Sequence, residues 1–290
     1  MAPGQVRPIR LPEDQDEINS FLDRRSGEAG LATLSESKLV GLTTGSTSLI
    51  DREEGETAGV AVLSRAARTG EWAMEIVAVP SRSVEAVLVE AAEREIKGST
   101  GSMLRWWIYD EDCDRIALDL GYKPERLLLL MGRPLPTSDR PRFDPEVSVR
   151  EFRPGEDDRV WLAVNNSAFE GHPENGDWDQ ADLEQRLGAD WFDAGGFRTA
   201  WVDGEMVGFC WTKIHPGRGG EIYVIGVSPP WWGRGLGRAL VLEGMRYLTE
   251  SGCERVFLYT EGDNSRAIRL YRDLGFMVER THRSFVKKLD

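Results

Sequence analysis

The sequence predicts an α+β fold (α/β in looser schemes) built as two tandem domains, each a mixed, mostly antiparallel, twisted sheet flanked by helices. Three observations predict it. The chain has 290 residues, and at roughly 150 residues per domain that length suits two domains. Gly132 to Pro145 reads GRPLPTSDRPRFDP, and four prolines in so short a stretch suit an extended connector. The flanks also echo one another: Asp119-Leu120-Gly121-Tyr122 and Asp273-Leu274-Gly275-Phe276 each stop a helix at Gly before an apolar strand, 154 residues apart. A tandem duplication produces that echo, as do two unrelated α/β units with a common helix stop. The expected division is 1–140 and 141–290.

The second half is well punctuated. Val147 to Phe152 reads as a strand, followed by helical segments near 156–170 and 180–190. Thr199 to Val202 and Met206 to Ile214 alternate as strands around Asp203-Gly204, a hairpin signal. Glu221 to Val227 is a further strand, and a helix follows from about Gly235 to Glu250. Arg255 to Thr260 reads as a strand, Ser265 to Leu274 as a helix and Arg283 to Lys287 as a last strand. Antiparallel strands followed by β-α-β-α-β give the α+β class.

Composition removes several functions. Hydrophobic residues make up 40% and charged residues 29%, an ordinary globular balance. No apolar run approaches the length of a membrane span, and Leu127 to Met131 is only strand-sized. Met1 to Arg10 lacks the apolar stretch of a signal peptide or anchor, so a cytoplasmic protein is expected. Thirty-six basic against 49 acidic residues give a net charge of −13, a field that repels nucleic-acid phosphates and anionic lipid. The expected partner is a small molecule and the expected state a monomer. Cys113, Cys210 and Cys253 lack metal-like spacing and suit reduced thiols, and His172, His215 and His282 are scattered, so no metal is expected.

The chemistry concentrates after Val227. Ser228-Pro-Pro-Trp-Trp232-Gly233-Arg234-Gly235-Leu236-Gly237-Arg238 leaves a strand and opens a helix. Alternating glycines let backbone approach a ligand closely, and amides at a helix N-terminus favour an anion, most often phosphate. A dinucleotide fingerprint looks superficially similar, but only about 50 residues follow, too few for that fold's further βα units. Val-x-Pro followed by a loop ending Arg-Gly-Leu-Gly-Arg-Ala-Leu resembles the pyrophosphate loop of the GNAT acetyltransferase superfamily, which cradles acetyl-CoA. Asn264-Ser-Arg-Ala-Ile-Arg-Leu-Tyr271-Arg-Asp-Leu-Gly275-Phe276 is similar to that superfamily's Asn-capped helix bearing a tyrosine. Trp232 stands where the superfamily usually has Gln or Arg, a departure in loop shape rather than in ligand class.

A narrower resemblance covers most of the second half. Phe209-Cys-Trp-Thr-Lys213-Ile-His215-Pro and Gly220-Glu221-Ile-Tyr-Val-Ile-Gly-Val227 are similar to the mycothiol synthases, tandem GNAT enzymes that acetylate the cysteinyl amine of cysteine-glucosamine-inositol. The resemblance implies two GNAT-like domains, the first degenerate and the second catalytic, with acetyl-CoA as co-substrate. It implies substrate contacts at Glu174, Lys213, Glu221 and Tyr259, and at a glutamate of the first half best matched by Glu36. Acetyl-CoA is then expected on Ile225, Gly226, Val227, Trp232, Gly233, Arg234, Gly235, Leu236, Gly237 and Arg238, with Asn264, Arg266 and Arg269 beside them.

Acetyl transfer to an amine needs a neutral nucleophile and a stabilised leaving thiolate. An α-amino group has a reference pKa of about 8, so it must lose a proton near neutrality. Glu221 is the expected base, sharing a strand face with Tyr223 and Ile225 by period-two alternation. Tyr271 lies on the stripe of Ala267, Leu270 and Leu274, either as a core tyrosine or with its hydroxyl beside the departing sulfur. Trp178, Trp191, Trp211, Trp231 and Trp232 either wall a sugar pocket or pack. In the first half, Val84, Ala86 and Leu88 fall opposite the three loop glycines and Ala117 opposite Tyr271. The catalytic parts are therefore missing there. Two further readings stay open, an acetyltransferase for another small amine or peptide N-terminus and an acetyl-CoA-binding regulator without turnover.

Overall fold

The computed structural model describes residues 6–29, 34, 38, 42, 48–53, 55–65, 70–79, 81–96, 103–109, 113–172 and 176–289. The chain forms two compact units: Met1–Leu128 with Thr281–Asp290, and Leu129–Arg280. The division therefore falls at 128/129 and again at 280/281, where the sequence suggests 140/141. Gly132–Pro145 lies wholly within unit 2, because its first residues continue a strand and the Leu135 amide donates to the Glu254 carbonyl at 2.8 Å.

Unit 1 contains β1 (Arg7–Pro8), α1 (Gln15–Ala29), β2 (Ser48–Glu53), β3 (Glu56–Arg65), β4 (Trp72–Ala78), α2 (Arg82–Ile96), β5 (Met103–Ile108) and α3 (Cys113–Asp119). It also takes the first residues of β6 (Lys123–Pro134) and the last of β12 (Met277–Lys288). The strand order is β1-β2-β3-β4-β5-β12-β6. β4 and β5 pair in parallel, while β1/β2, β2/β3, β3/β4 and β5/β12 are antiparallel.

Unit 2 contains β7 (Ser148–Glu151), α4 (Asp158–Ala168), α5 (Gln180–Leu187), β8 (Phe197–Val202), β9 (Glu205–His215), β10 (Gly219–Val227), α6 (Leu236–Glu250), β11 (Arg255–Glu261) and α7 (Ser265–Asp273). Its order is β6-β11-β10-β9-β8-β7, parallel at β10/β11 and antiparallel from β10 outward to β7. Local chemistry sets these elements. Asp203 and Gly204 both take positive φ, 48° and 83°, the tight hairpin turn that Asp-Gly favours. Asp179 caps α5 through a reciprocal bond with Asp182. Asn264 accepts from the Ala267 amide at 3.1 Å and starts α7. The sheet packs α6 and α7 on one face and an aromatic cluster under α4 and α5 on the other.

The two units repeat one another in detail. The Tyr122 amide donates to the Ala117 carbonyl as the Phe276 amide does to Tyr271, so Ala117 is the counterpart of Tyr271. A Cβ at Gly59 would strike Val84 and Leu88 at 2.8 and 2.7 Å, and one at Gly208 would meet Leu236 and Leu240 at 3.4 and 3.0 Å. In each unit a helix thus docks on a strand glycine. That equivalence corrects the alignment of Val84, Ala86 and Leu88 with the loop glycines, since all three lie inside α2. Val84 is six positions beyond the end of β4, whereas Leu236 is nine beyond the end of β10. The connection from strand end to the equivalent helix residue is therefore three residues shorter in unit 1 than in unit 2.

A second repeat escaped the sequence reading. Arg7 clasps Asp14, which also accepts from the Arg10 amide, and Arg150 clasps Asp157, which accepts from the Arg153 amide. The signal was present as Arg-x-x-Arg-x-x-Glu-Asp in both halves. Hydrogen bonds from Arg150 hold the buried Asp157 carboxyl below the usual carboxylate range, against the cost of burial. With the folded pKa depressed, this stability is present above the unfolded Asp value of about 3.9 and is lost as pH falls through the folded one. Asp157→Asn is therefore expected to cost about 1.5–3 kcal/mol at neutral pH. Urea unfolding across the acid range should show the gap from wild type narrowing; a gap constant down to about pH 2 would assign the loss to packing instead.

Candidate active site

The candidate site is in unit 2, where β10, the loop after it and the starts of α6 and α7 converge. The Gly237 Cα faces both Val227 and Leu270, and a Cβ there would sit 3.7 Å from each. Gly233 and Gly235 both have φ +82°, and a Cβ on either would meet nothing within 4 Å. The loop is thus open at its glycines and left-handed at the α6 N-cap, where no side chain caps the first amides. An uncapped helix start beside open backbone fits a diphosphate. Arg234 lies over the Trp231 ring at 4.5 Å and Arg266 over Trp232 at 5.1 Å, while Arg269 is exposed one turn further along α7. Arg238 pairs with Asp139 at 3.2 Å on the surface. Trp232, 49% exposed, donates its indole N–H to the Val227 carbonyl at 2.7 Å and ties the loop to the strand end. A donor therefore stands where Gln or Arg was expected.

The strand itself departs from simple alternation. Its register against β9 runs Glu221↔Lys213 and Ile222↔Thr212, then shifts to Val224↔Trp211. Tyr223 is the extra residue of a β-bulge, which resets the faces beyond it. Tyr223 and Val224 pack with the aromatic cluster, whereas Ile225 and Val227 turn toward α6 and α7. The expectation that Ile225 shares a face with Glu221 and Tyr223 is thereby overturned. The registered pairs with β11, Gly220↔Val256 and Glu221↔Phe257, both precede the bulge. Beyond it, the β11-facing backbone of residues 223–227 has no registered pair with that strand. In unit 1, β4 pairs with β5 from Trp72↔Leu104 to Glu75↔Trp107, leaving only Ile76–Ala78 without a registered pair on that side, and it keeps an unshifted register with β3.

Glu221 sits at the head of this opening and is 8% exposed. Lys213, 5% exposed, stands directly across from it, with its Nζ 4.3 Å from the Trp191 ring centre and 5.8 Å from that of Tyr223. His215 Nε2 lies 2.6 Å from Glu221 Oε2. Tyr259 is 38% exposed and packs edge-on to Phe257, the parallel-strand partner of Glu221. The structure thus brings Lys213 and Glu221 together and places Tyr259 on the neighbouring strand beside Phe257, while Glu36 and Glu174 lie outside the described residues. His215 was not singled out, although its place two residues after Lys213 puts it on the same strand face. Trp178 and Trp211 are buried in the aromatic core as packing, and Trp191 lies half-buried beneath Lys213.

On the opposite face, Tyr271 is 6% exposed and its ring lies 5.9 Å from Phe276. Burial pushes its phenol above the ordinary value, and the neighbouring Cys210 thiol adds to the shift. Among the described residues none forms a hydrogen bond with its hydroxyl. Burial thus keeps the phenol protonated, as a hydrogen-bond donor. Among the described residues no group of three or more His, Cys, Asp or Glu side chains is arranged to hold a metal ion. None of the described helices is long and apolar enough to cross a membrane.

Comparison with known proteins decides the family. The acetyltransferase (GNAT) family pattern matches residues 159–276. The mycothiol acetyltransferase of Acidothermus cellulolyticus is 37% identical over 304 residues, covering 94% of this chain and 90% of its own. The chain belongs to the mycothiol acetyltransferase family. The Thermomonospora curvata member is 40% identical across 90% of this chain and 89% of its own. A GCN5-related N-acetyltransferase from Sphaerobacter thermophilus superposes with a TM-score of 0.82 at 20% identity, covering 100% of this chain and 96% of that one. A tandem GNAT protein from the clavulanic acid pathway gives 0.75 at 17% identity, covering 99% of each chain. Both structures share the tandem fold. As a mycothiol acetyltransferase family member, the chain is an acetyl-CoA-dependent N-acetyltransferase.

Proposed function

We propose that this chain acetylates the cysteinyl amine of cysteine-glucosamine-inositol, the last step of mycothiol formation, and that turnover is confined to unit 2. The observation that carries the reading is a buried carboxylate, Glu221, at the head of the opening between β10 and β11, opposite the buried Lys213 ammonium. Glu221 binds the substrate ammonium and takes its proton, directly or through water. Lys213 and the half-exposed Tyr259 offer donors to a polyhydroxylated substrate. Backbone N–H groups of residues 225–227 polarise the thioester carbonyl, and the Tyr271 hydroxyl donates to the charge that grows on the departing sulfur. Acetyl-CoA supplies the activated acyl group. Residues 232–238 hold its diphosphate and Asn264, Arg266 and Arg269 flank it.

The direct test is mass spectrometry of products after incubation with acetyl-CoA and cysteine-glucosamine-inositol beside a panel of other amines. N-acetylation of the cysteinyl amine in clear preference supports the reading, and preferred acetylation of another amine overturns it. A thiol dye is unsuitable because this substrate carries its own thiol.

Gly235→Val tests the loop. At φ +82° the strain comes from the backbone, since the added Cβ meets no neighbour. Acetyl-CoA affinity is expected to fall at least about tenfold, or 1.4 kcal/mol. Calorimetric binding equal to wild type would remove this loop from the site.

A further inference from the structure

We propose that His215 is the positioning residue of the Glu221 carboxylate, holding Oε2 so that Oε1 stays turned to the substrate amine and away from the Lys213 ammonium. The inference rests on the reading of Glu221 as the base. A carboxylate only accepts, so the proton in the 2.6 Å contact is on His215 Nε2. That length is short even for a charge-assisted bond.

The need for such a partner follows from the register. Lys213 is directly across the strand pair from Glu221, and directly opposed side chains of opposite charge are drawn together. Closure of that ion pair would occupy the base. The ammonium rests on the Trp191 ring at 4.3 Å and the carboxylate is held by His215, and both contacts work against that closure. Arg218 and Arg255 also surround the site. Their guanidinium groups lie over the Phe257 ring at 5.9 and 5.4 Å, and Tyr259 borders the same ring.

His215 is well anchored for this task. It is the last residue of β9 and pairs with Gly219, the first of β10. Gly219 has φ +101°, and a Cβ there would lie 2.8 Å from the Arg255 carbonyl oxygen. β11 therefore presses against the glycine that opposes His215, and three strand ends are fixed at one point. The Arg218 amide closes the turn on the His215 carbonyl at 3.0 Å, and the imidazole packs 5.3 Å from Phe257.

Two substitutions in the full chain separate orientation from packing. His215→Phe keeps a ring against Phe257 and removes the donor, whereas His215→Gln returns an N–H near the same place. With acetyl-CoA and cysteine-glucosamine-inositol, His215→Phe should lower kcat by about 10–100-fold with the acetyl-CoA KM within about twofold. His215→Gln should recover kcat to within about fivefold of wild type. In a Glu221→Gln background, His215→Phe should cost less than about a further twofold, because the group it orients is gone. A wild-type kcat for His215→Phe beside a slow Glu221→Gln overturns the inference and leaves the base reading standing. Equal losses in the Phe and Gln variants, multiplying with Glu221→Gln, also overturn it in favour of a structural role. A wild-type rate for Glu221→Gln removes the base and this inference together.

Discussion

Glu221→Gln is expected to lower kcat by about 10²–10⁴-fold at neutral pH, the usual worth of a general base. The change keeps the shape of the side chain. The Gln carbonyl can still accept from His215, which lies 2.6 Å from the present carboxylate, so stability should change little. What is lost is the negative charge beside the substrate ammonium and the site that receives its proton. Because an α-amino group has a reference pKa of about 8, alkaline medium supplies more of the neutral nucleophile and should partly restore the rate. Rate against pH for both proteins, after each is shown to be folded by circular dichroism, checks the expectation. A variant as fast as wild type at neutral pH would remove Glu221 as the base.

Tyr271→Phe deletes one oxygen from a ring that stays packed against Phe276. Its expected effect is a fall in kcat of about 10–10³-fold, below the full effect of an oxyanion donor. Acetyl-CoA affinity should be nearly unchanged, because the sulfur gains charge only as the thioester breaks. Burial holds the Tyr271 phenol above its ordinary value, whereas a free thiol has a pKa of about 8.5. Complete proton transfer to the thiolate is therefore uphill, and the hydroxyl acts by donating a hydrogen bond. An acetyl donor with a more acidic thiol needs that bond less and should narrow the gap between variant and wild type. Steady-state kinetics of both proteins with both donors test this. Equal kcat values with acetyl-CoA would return Tyr271 to a core role, where its hydroxyl is worth about 0.5–1.5 kcal/mol of stability.

Much of unit 2 was legible because its signals are local. Asp203-Gly204 fixes a hairpin through positive φ, Asn264 caps a helix, and glycines mark the loop after Val227. The bulge at Tyr223 was not legible. A one-residue slip in register depends on pairing with β9, and nothing in Ile222-Tyr-Val-Ile225 distinguishes a bulge from regular alternation. His215 was hidden for a related reason. A lone histidine becomes informative only once the sheet brings Glu221 to it. In the first half, fixed offsets placed Val84, Ala86 and Leu88 opposite the glycines, but a three-residue shortening moves them into α2. Gly59 and Gly208, each pressed by a helix, reveal the correspondence of the two helices.

The return of residues 281–290 to unit 1 has a consequence for biosynthesis. A chain made from its N-terminus emerges with β5 complete but without β12, which pairs with it from Arg283↔Ile108 to Lys288↔Met103. Until those last residues leave the ribosome, Met103–Ile108 (MLRWWI) remains an unpaired edge rich in tryptophan, a template for association between nascent chains. Unit 2, continuous from Leu129 to Arg280, can fold first although it is translated second. A fragment ending in the proline-rich stretch would keep that sticky edge permanently. Separate production of the first unit should instead join residues 281–290 directly behind residue 128 through a short linker.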